Sequence, residues 1–336
     1  MPMSRNKMIE ELKALFQQVS PDTASFDDQQ LKIQTDLKEF LKTQKLNLQP
    51  SGNLRELFVG GMVTKLVFDV LLRAYAKHTR GLVIEAPIKL PDRLLEKAED
   101  YPEGFASIMD IVRGSVGFEN LKEIYNALGD LLKFLSSFGI VIHKIVDAEL
   151  HDAIEYPILV KYKDRFLVPM PTGYRDVLLV FEIPHFKWER LDLNDLVFYH
   201  EKKGKLMLDL TRVDFRALGL VEEIVKLIPQ NLAAIDVKSY YGLSEEDLLK
   251  VGLLSNHKTN LSFNSNGFKV ELRLQIMALF EVGSEHHDTY KRYRTLEKNF
   301  RLNLKSMKDA DLEELLSLIK LLQKYHDEAW ERTKRS

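Results

Sequence analysis

The segment Phe268 to Ile276 alternates without a break, with Phe268, Val270, Leu272, Leu274 and Ile276 apolar and Lys269, Glu271, Arg273 and Gln275 polar. A period of two residues sends successive side chains to opposite faces of an extended chain. The segment is expected to be a β-strand with one face on a core and the other polar, which puts Glu271 and Arg273 side by side on the polar face. Two further runs, Val112 to Phe118 and Val177 to Ile183, read as largely buried strands, as does Ile140 to Val146.

Helical spacing separates these strands. Leu121, Ile124, Leu128, Leu131 and Leu132 mark one helix stopping near Gly139, and Leu312, Leu315, Leu316, Ile319 and Leu322 mark another near the end of the chain. From the start to Arg80 the apolar residues Leu54, Leu57, Phe58, Met62, Leu66, Val67, Val70 and Leu71 also recur every three to four positions. The pair Gly60-Gly61 within that run marks a break or a close packing contact. A hairpin is expected around Lys203-Gly204, and Ser244-x-x-Asp247 has capping-box spacing. The expected fold class is α/β (α+β), a mixed sheet flanked by helices. Residues 1–80 form a helical N-terminal region and 81–300 a main domain with an inserted subdomain at about 185–265. Residues 301–336 form a C-terminal helix.

The length of 336 residues and a hydrophobic content of 45% suffice for a substantial core. With 48 basic and 50 acidic residues the net charge is −2, so any phosphate site must be local rather than a global basic field. No cysteine is present, which excludes thiolate metal sites and cysteine nucleophiles. No apolar stretch is long enough to cross a membrane, and a soluble, cytoplasmic protein is expected.

The segment Lys163-Asp164-Arg165-Phe166-Leu167-Val168-Pro169-Met170-Pro171-Thr172-Gly173-Tyr174 stands ahead of the strand at Val177. Two prolines stiffen such a loop and a glycine permits a tight turn, so Tyr174 is presented rigidly at a sheet edge. This Lys-Asp followed by Pro-x-Pro-x-Gly-Tyr resembles the RelA/SpoT alarmone synthetases. So does Val270-Glu271-Leu272-Arg273-Leu274-Gln275, similar to the Val-Glu-Ile-Gln-Ile-Arg strand of that family, and so does Asp110 heading Met109-Asp110-Ile111-Val112-Arg113. Weaker matches are Lys89, Arg93 and Lys97, and Glu285-His286 with Tyr290-Lys291.

The resemblance implies a synthetase-like nucleotidyltransferase fold and an enzyme that moves pyrophosphate from ATP to a nucleotide ribose hydroxyl. It implies that Asp110 and Glu271 are catalytic and hold Mg²⁺, and that Tyr174 stacks on the acceptor base. Lys161, Lys163, Lys89, Arg93, Lys97, Arg113, Arg273 and His286 would bind substrate. Glu271 has a second possible role as base, in competition with metal binding. The acceptor would be GDP, GTP or an adenosine nucleotide. Toxin members of the family suggest tRNA instead, and delivery into a target cell. A non-catalytic nucleotide- or partner-binding descendant is a third reading.

The sequence departs from the family pattern where Ser115 replaces a common arginine, with Arg113 as its substitute, and where Arg175-Asp176-Val177-Leu178 replaces Gln-Ser-Leu-His. Taken singly, Glu271 reads as a solvated strand residue, Asp110 as a turn residue, and Lys89, Arg93 and Lys97 as a solvated helix face. The basic-aromatic run Tyr290 to Arg294 could contact RNA or be an exposed helix face. The pairs His287-Asp288 and His326-Asp327 lack the partners a metal site needs. The oligomeric state is not encoded in any feature described above.

Overall fold

The computed structural model describes residues 3–17, 21, 26–42, 48–137, 158–183, 197–200, 205–208, 235–252 and 267–334. Four strands surround Phe268–Ile276, which is β8 in chain order: β1 (Leu82–Glu85), β2 (Val112–Phe118), β3 (Ile158–Asp164) and β4 (Val177–Ile183). The sheet order is β1-β2-β8-β4-β3, with β2 and β8 parallel and the other pairs antiparallel. This is the expected mixed sheet, and β2, β4 and β8 have the boundaries read from the sequence. The proposed strand at Ile140 to Val146 lies outside the described residues.

Helices α1 (Arg5–Gln17), α2 (Asp28–Lys42) and α3 (Leu54–Thr79) precede the sheet, α4 (Pro91–Ala98) joins β1 to β2, and α5 (Leu121–Ser137) follows β2. The long helix α3 is capped by Asn53, whose side chain accepts from the Arg55 and Glu56 N–H groups, and it ends at Arg80 in the left-handed conformation. It runs through Gly60-Gly61 unbroken. A Cβ on Gly61 would lie 3.1 Å from Ile88 Cδ1 and 3.2 Å from Ile111 Cγ2, so this glycine serves close helix-to-sheet packing. With α5, α3 covers the β-sheet face that bears Val112, Val116, Val270, Leu272 and Phe181.

Between β4 and β8 a second sheet has the order β5-β6-β7, from Val197–His200, Lys205–Leu208 and Ile235–Asp236. The first two pair antiparallel with His200 opposite Lys205; the turn between them lies outside the described residues. Helices α6 (Val237–Tyr241) and α7 (Glu245–Lys250) follow, and both capping-box bonds between Ser244 and Asp247 are present. Tyr241 donates to the Met62 carbonyl at 3.0 Å and Lys250 pairs with Asp92 at 2.8 Å, tying this segment to α3 and α4.

The C-terminal part holds α8 (Met277–Glu285), α9 (His287–Asn303) and α10 (Asp309–Thr333). The stripe Leu312, Leu315, Leu316, Ile319 and Leu322 is buried as expected, against Tyr293, Leu296 and Phe300 of α9 and Met8 and Leu12 of α1. The first and last helices thus share one core. No helix among the described residues is long and apolar enough to cross a membrane.

In β8 the structure departs from simple alternation. Lys269, Glu271 and Gln275 are as buried as their apolar neighbours, so the polar face is not a solvated one. Lys269 is buried because it is paired: its ammonium lies 2.7 Å from Glu182 and donates to the Gly267 carbonyl at 2.9 Å. Adding bulk at this close contact of α3 tests the packing directly. Gly61→Val is expected to lower stability by about 1–3 kcal/mol, read from urea denaturation midpoints with unchanged slope.

Candidate active site

Cross-strand register places the candidate residues. On the face turned away from α3, Arg113, Glu271, Val180 and Lys161 stand side by side across β2, β8, β4 and β3; one step along, Ser115, Arg273, Leu178 and Lys163 form a second row. With strands about 4.8 Å apart, each row spans about 14 Å. One carboxylate therefore lies among four cationic side chains: Arg113, Arg273, Lys161 and Lys163.

Glu271 accepts a 2.7 Å hydrogen bond from Arg273 Nε. Arg113 is half-buried, and its Nε makes no hydrogen bond among the described residues. Lys161 and Lys163 reach solvent at the sheet edge, where partial desolvation and then the charges of Lys161 and Arg165 lower the Lys163 pKa.

Asp110 lies just before β2, where the Lys89 N–H donates to the Ile111 carbonyl at 3.0 Å. Its carboxylate is gripped from both sides, by Lys89 on Oδ2 at 2.6 Å and by Lys97 on Oδ1 at 2.7 Å. Burial alone would raise the pKa of this group, but the two ammonium groups outweigh it and hold Asp110 well below the usual carboxylate range. Burial is also the main influence on Lys89, whose pKa falls to about 8 despite Asp110, with Lys97 and Arg113 adding repulsion. Arg93 does not join this group; it is exposed and pairs with Glu96. Although the two are four apart on α4, only Lys97 reaches Asp110, while Arg93 is exposed.

Tyr174 stands at the far end of β8. Its hydroxyl donates to Asp176 Oδ2 at 2.9 Å and accepts from Gln275 Nε2 at 2.8 Å, and the His326 ring is perpendicular to its ring at 5.7 Å. Gly173 has φ +76°, and a Cβ there would lie 3.1 Å from His326 Cβ, so α10 backs the loop directly. Glu271 and Gln275 are four residues apart on one strand, about 13 Å at the strand rise. Along the strand direction Asp110 thus precedes the Val112–Val270 pair, Gln275 with Tyr174 lies near the other end, and Glu271 is at a level between them.

His286 is not brought into these rows. It stacks on Tyr325 of α10, ring centroids 3.9 Å apart and 6° from parallel. The basic run in α9 is paired with acids: Lys291 with Asp288, Arg292 with Glu314 and Arg294 with Glu297. An apolar cavity lined by Phe68, Leu72, Phe134, Phe181, Val270 and Leu272 lies on the α3 side of the sheet and contains none of the candidate residues.

The sequence reading missed Asp176, Arg165, Gln275 and His326. Gln275 could have been found, since it shares the alternation of Glu271 and Arg273. His326 could not, because only tertiary packing brings α10 to the loop.

No family model matches the chain, and no match is found among curated proteins. Among solved structures the chain is similar to the small alarmone synthetase 2 from Bacillus subtilis, with 14% identity and a TM-score of 0.33 over 84% of this chain and 97% of that one. It is similar also to the small alarmone synthetase 1 from Bacillus subtilis bound to its product pppGpp (10% identity, TM-score 0.34, 90% and 94% covered). A GTP pyrophosphokinase family protein from Streptococcus pneumoniae matches with 11% identity and a TM-score of 0.35 over 88% of this chain and 92% of that one.

The grip on Asp110 has a pH signature. A carboxyl whose folded pKa is depressed adds stability above its unfolded pKa, near 3.8, and loses it as pH falls toward the folded value. Asp110→Asn is expected to cost about 1.5–3 kcal/mol at pH 6, the worth of hydrogen bonds to charged groups. The gap to wild type should shrink steadily below about pH 4 in denaturant melts. A gap independent of pH would mean that the Asp110 charge is not what the two lysines stabilise.

Proposed function

We propose that the chain is a nucleotide pyrophosphokinase, transferring the β,γ-pyrophosphate of ATP to a ribose hydroxyl of an acceptor nucleotide. The observation that carries this reading is the arrangement of Glu271 among Arg113, Arg273, Lys161 and Lys163 on one sheet face, with Asp110, held by Lys89 and Lys97, just before β2. Phosphoryl-type transfer asks little covalent chemistry of a protein; it needs positioning and neutralisation of phosphate charge. Cations on both sides of isolated carboxylates provide for that. The motif likeness to RelA/SpoT synthetases at Lys163 to Tyr174 and at Val270 to Gln275 supports the same reading.

In the proposed reaction the hydroxyl oxygen bonds to the β-phosphorus, the bond from that phosphorus to the oxygen it shares with the α-phosphate breaks, and AMP leaves. Glu271 orients the hydroxyl or takes its proton. Arg113 and Arg273 meet phosphate oxygens. Tyr174 supports the acceptor base, and Lys161 and Lys163 its 5′-phosphates.

Asp110 and Glu271 are the residues that would hold Mg²⁺. Both are buried carboxylates, and Asp110 stays ionised. No group of three acidic or histidine side chains suited to a metal occurs among the described residues. That donor set fits magnesium, which commonly takes one or two carboxylates and completes its shell with water and substrate phosphate. Bound there, the ion would neutralise charge on the transferring phosphates.

A second reading is favoured by one observation: both oxygens of Asp110 and one of Glu271 are already bonded to resident cations. In a non-catalytic descendant these pairs would persist and nucleotide would bind without reacting.

ATP labelled in its β,γ-phosphates, with Mg²⁺ and separately GDP, GTP, ADP or tRNA, distinguishes the readings. Label on a nucleotide with equimolar AMP is expected, and Glu271→Gln should lower kcat by about a hundredfold or more. ATP binding without turnover, unchanged in Glu271→Gln, would establish the second reading instead.

A further inference from the structure

Asp176 is fully buried, and a buried carboxylate persists only where partners replace its lost hydration. Its partners are specific. Arg165 Nη1 donates to Oδ1 at 2.6 Å, the Tyr174 hydroxyl donates to Oδ2 at 2.9 Å, and Arg273 Nη1 lies 3.8 Å from Oδ2. The same two residues close the loop through the backbone, since the Arg165 N–H donates to the Asp176 carbonyl at 2.8 Å. Within the loop, Gly173 N–H donates to the Met170 carbonyl at 2.7 Å and Met170 N–H to the Tyr174 carbonyl at 3.1 Å. Gln275 fills the acceptor side of the Tyr174 hydroxyl, so the phenol is held through both of its hydrogen-bonding directions.

The loop's own hydrogen bonds therefore fix its shape. A tyrosine ring that only stacks needs no fixed hydroxyl; one bonded on both sides has lost its rotational freedom before anything binds. Burial first, then the Asp176 charge, push the Tyr174 phenol up, so it remains a hydrogen-bond donor across the physiological range.

We propose that Asp176, braced by Arg165, is a positioning residue that locks the Tyr174 ring and the Arg273 guanidinium in the geometry the acceptor nucleotide meets, so that acceptor affinity depends on this buried carboxylate. The inference rests on the pyrophosphokinase reading and assigns to Asp176 the positioning of Tyr174 and of Arg273, which also bonds Glu271. Prepaid ordering of the ring and loop appears as affinity, because binding no longer bears that entropic cost.

Isothermal titration of the full-length protein with GDP, with GTP, with ADP and with ATP tests it. Tyr174→Phe keeps the ring and removes only the hydroxyl; Asp176→Asn keeps the volume and removes the charge. Both are expected to weaken GDP or ADP binding about tenfold, which is about 1.4 kcal/mol, while in Tyr174→Phe, which leaves Arg273 bonded to Glu271, ATP affinity changes less than twofold. In turnover, the acceptor KM should rise while kcat changes less than threefold, a split that general destabilisation would not produce. Should Asp176→Asn fail to fold by circular dichroism, Tyr174→Phe alone decides. Wild type that binds GDP or ADP, with Tyr174→Phe binding equally well, overturns the lock and leaves the pyrophosphokinase reading intact. Wild type that binds none of GDP, GTP and ADP overturns the lock, and label transferred to none of GDP, GTP, ADP and tRNA overturns the pyrophosphokinase reading.

Discussion

The candidate site depends on the register of β8 between β2 and β4. A slip of one residue would send Glu271 and Arg273 into the α3 core and bring Leu272 and Leu274 out. Hydrophobic matching alone does not fix that register here, because both faces of β8 are buried. A polar device at the start of the strand does. Lys269 pairs with Glu182 of β4, Glu182 also accepts from the Gly267 N–H at 2.7 Å, and Gln49 bonds both the Lys269 N–H and the Ile108 carbonyl. Each of these bonds connects residues far apart in sequence. Those that end on Gly267 or Lys269 would be broken by a slip, at the cost of buried unpaired groups.

The same logic explains which features were legible in advance. The boundaries of β2, β4 and β8 follow from apolar runs and alternation, which are local. The strand β3 was missed because Lys161 and Lys163 interrupt its apolar pattern, and those lysines sit there because an edge strand tolerates exposed charge. The burial of Glu271 was misread for the opposite reason. Alternation predicts that a residue is polar, but not whether water or other side chains fill the space above it. Arg93 and Lys97 looked equivalent on helical spacing, and only the position of Asp110 separates them. The Gly60-Gly61 pair left a choice between a break and a contact, which Ile88 and Ile111, distant in sequence, decide.

Electrostatically the face is balanced in advance. Asp110 is neutralised by two lysines and Glu271 by one arginine, so each carboxylate is buried with a compensating charge. In the proposed reaction that balance is exchanged rather than created. A metal-bound polyphosphate would bring positive charge for the carboxylates and negative charge for the released lysines and arginine. Such a site needs no strongly basic surface, consistent with a net charge of only −2 over the chain.

The loop at Lys163 to Asp176 follows a different principle. Asp164 accepts from the Phe166 and Leu167 N–H groups, from Tyr162 and Gln34, and from Tyr125, so α2 and α5 anchor the start of the loop. At its other end Arg175 lies 5.0 Å from the Trp330 ring, and Phe166 also packs on Trp330, so α10 anchors the close. Helices from both ends of the chain thus converge on one loop that carries Tyr174. A loop meant only to join β3 to β4 would not need these anchors, since a two-residue turn can connect antiparallel neighbours. The length, the prolines and the anchoring are better explained if the loop must hold one ring still, and in the proposed reading that ring is the platform for the acceptor base.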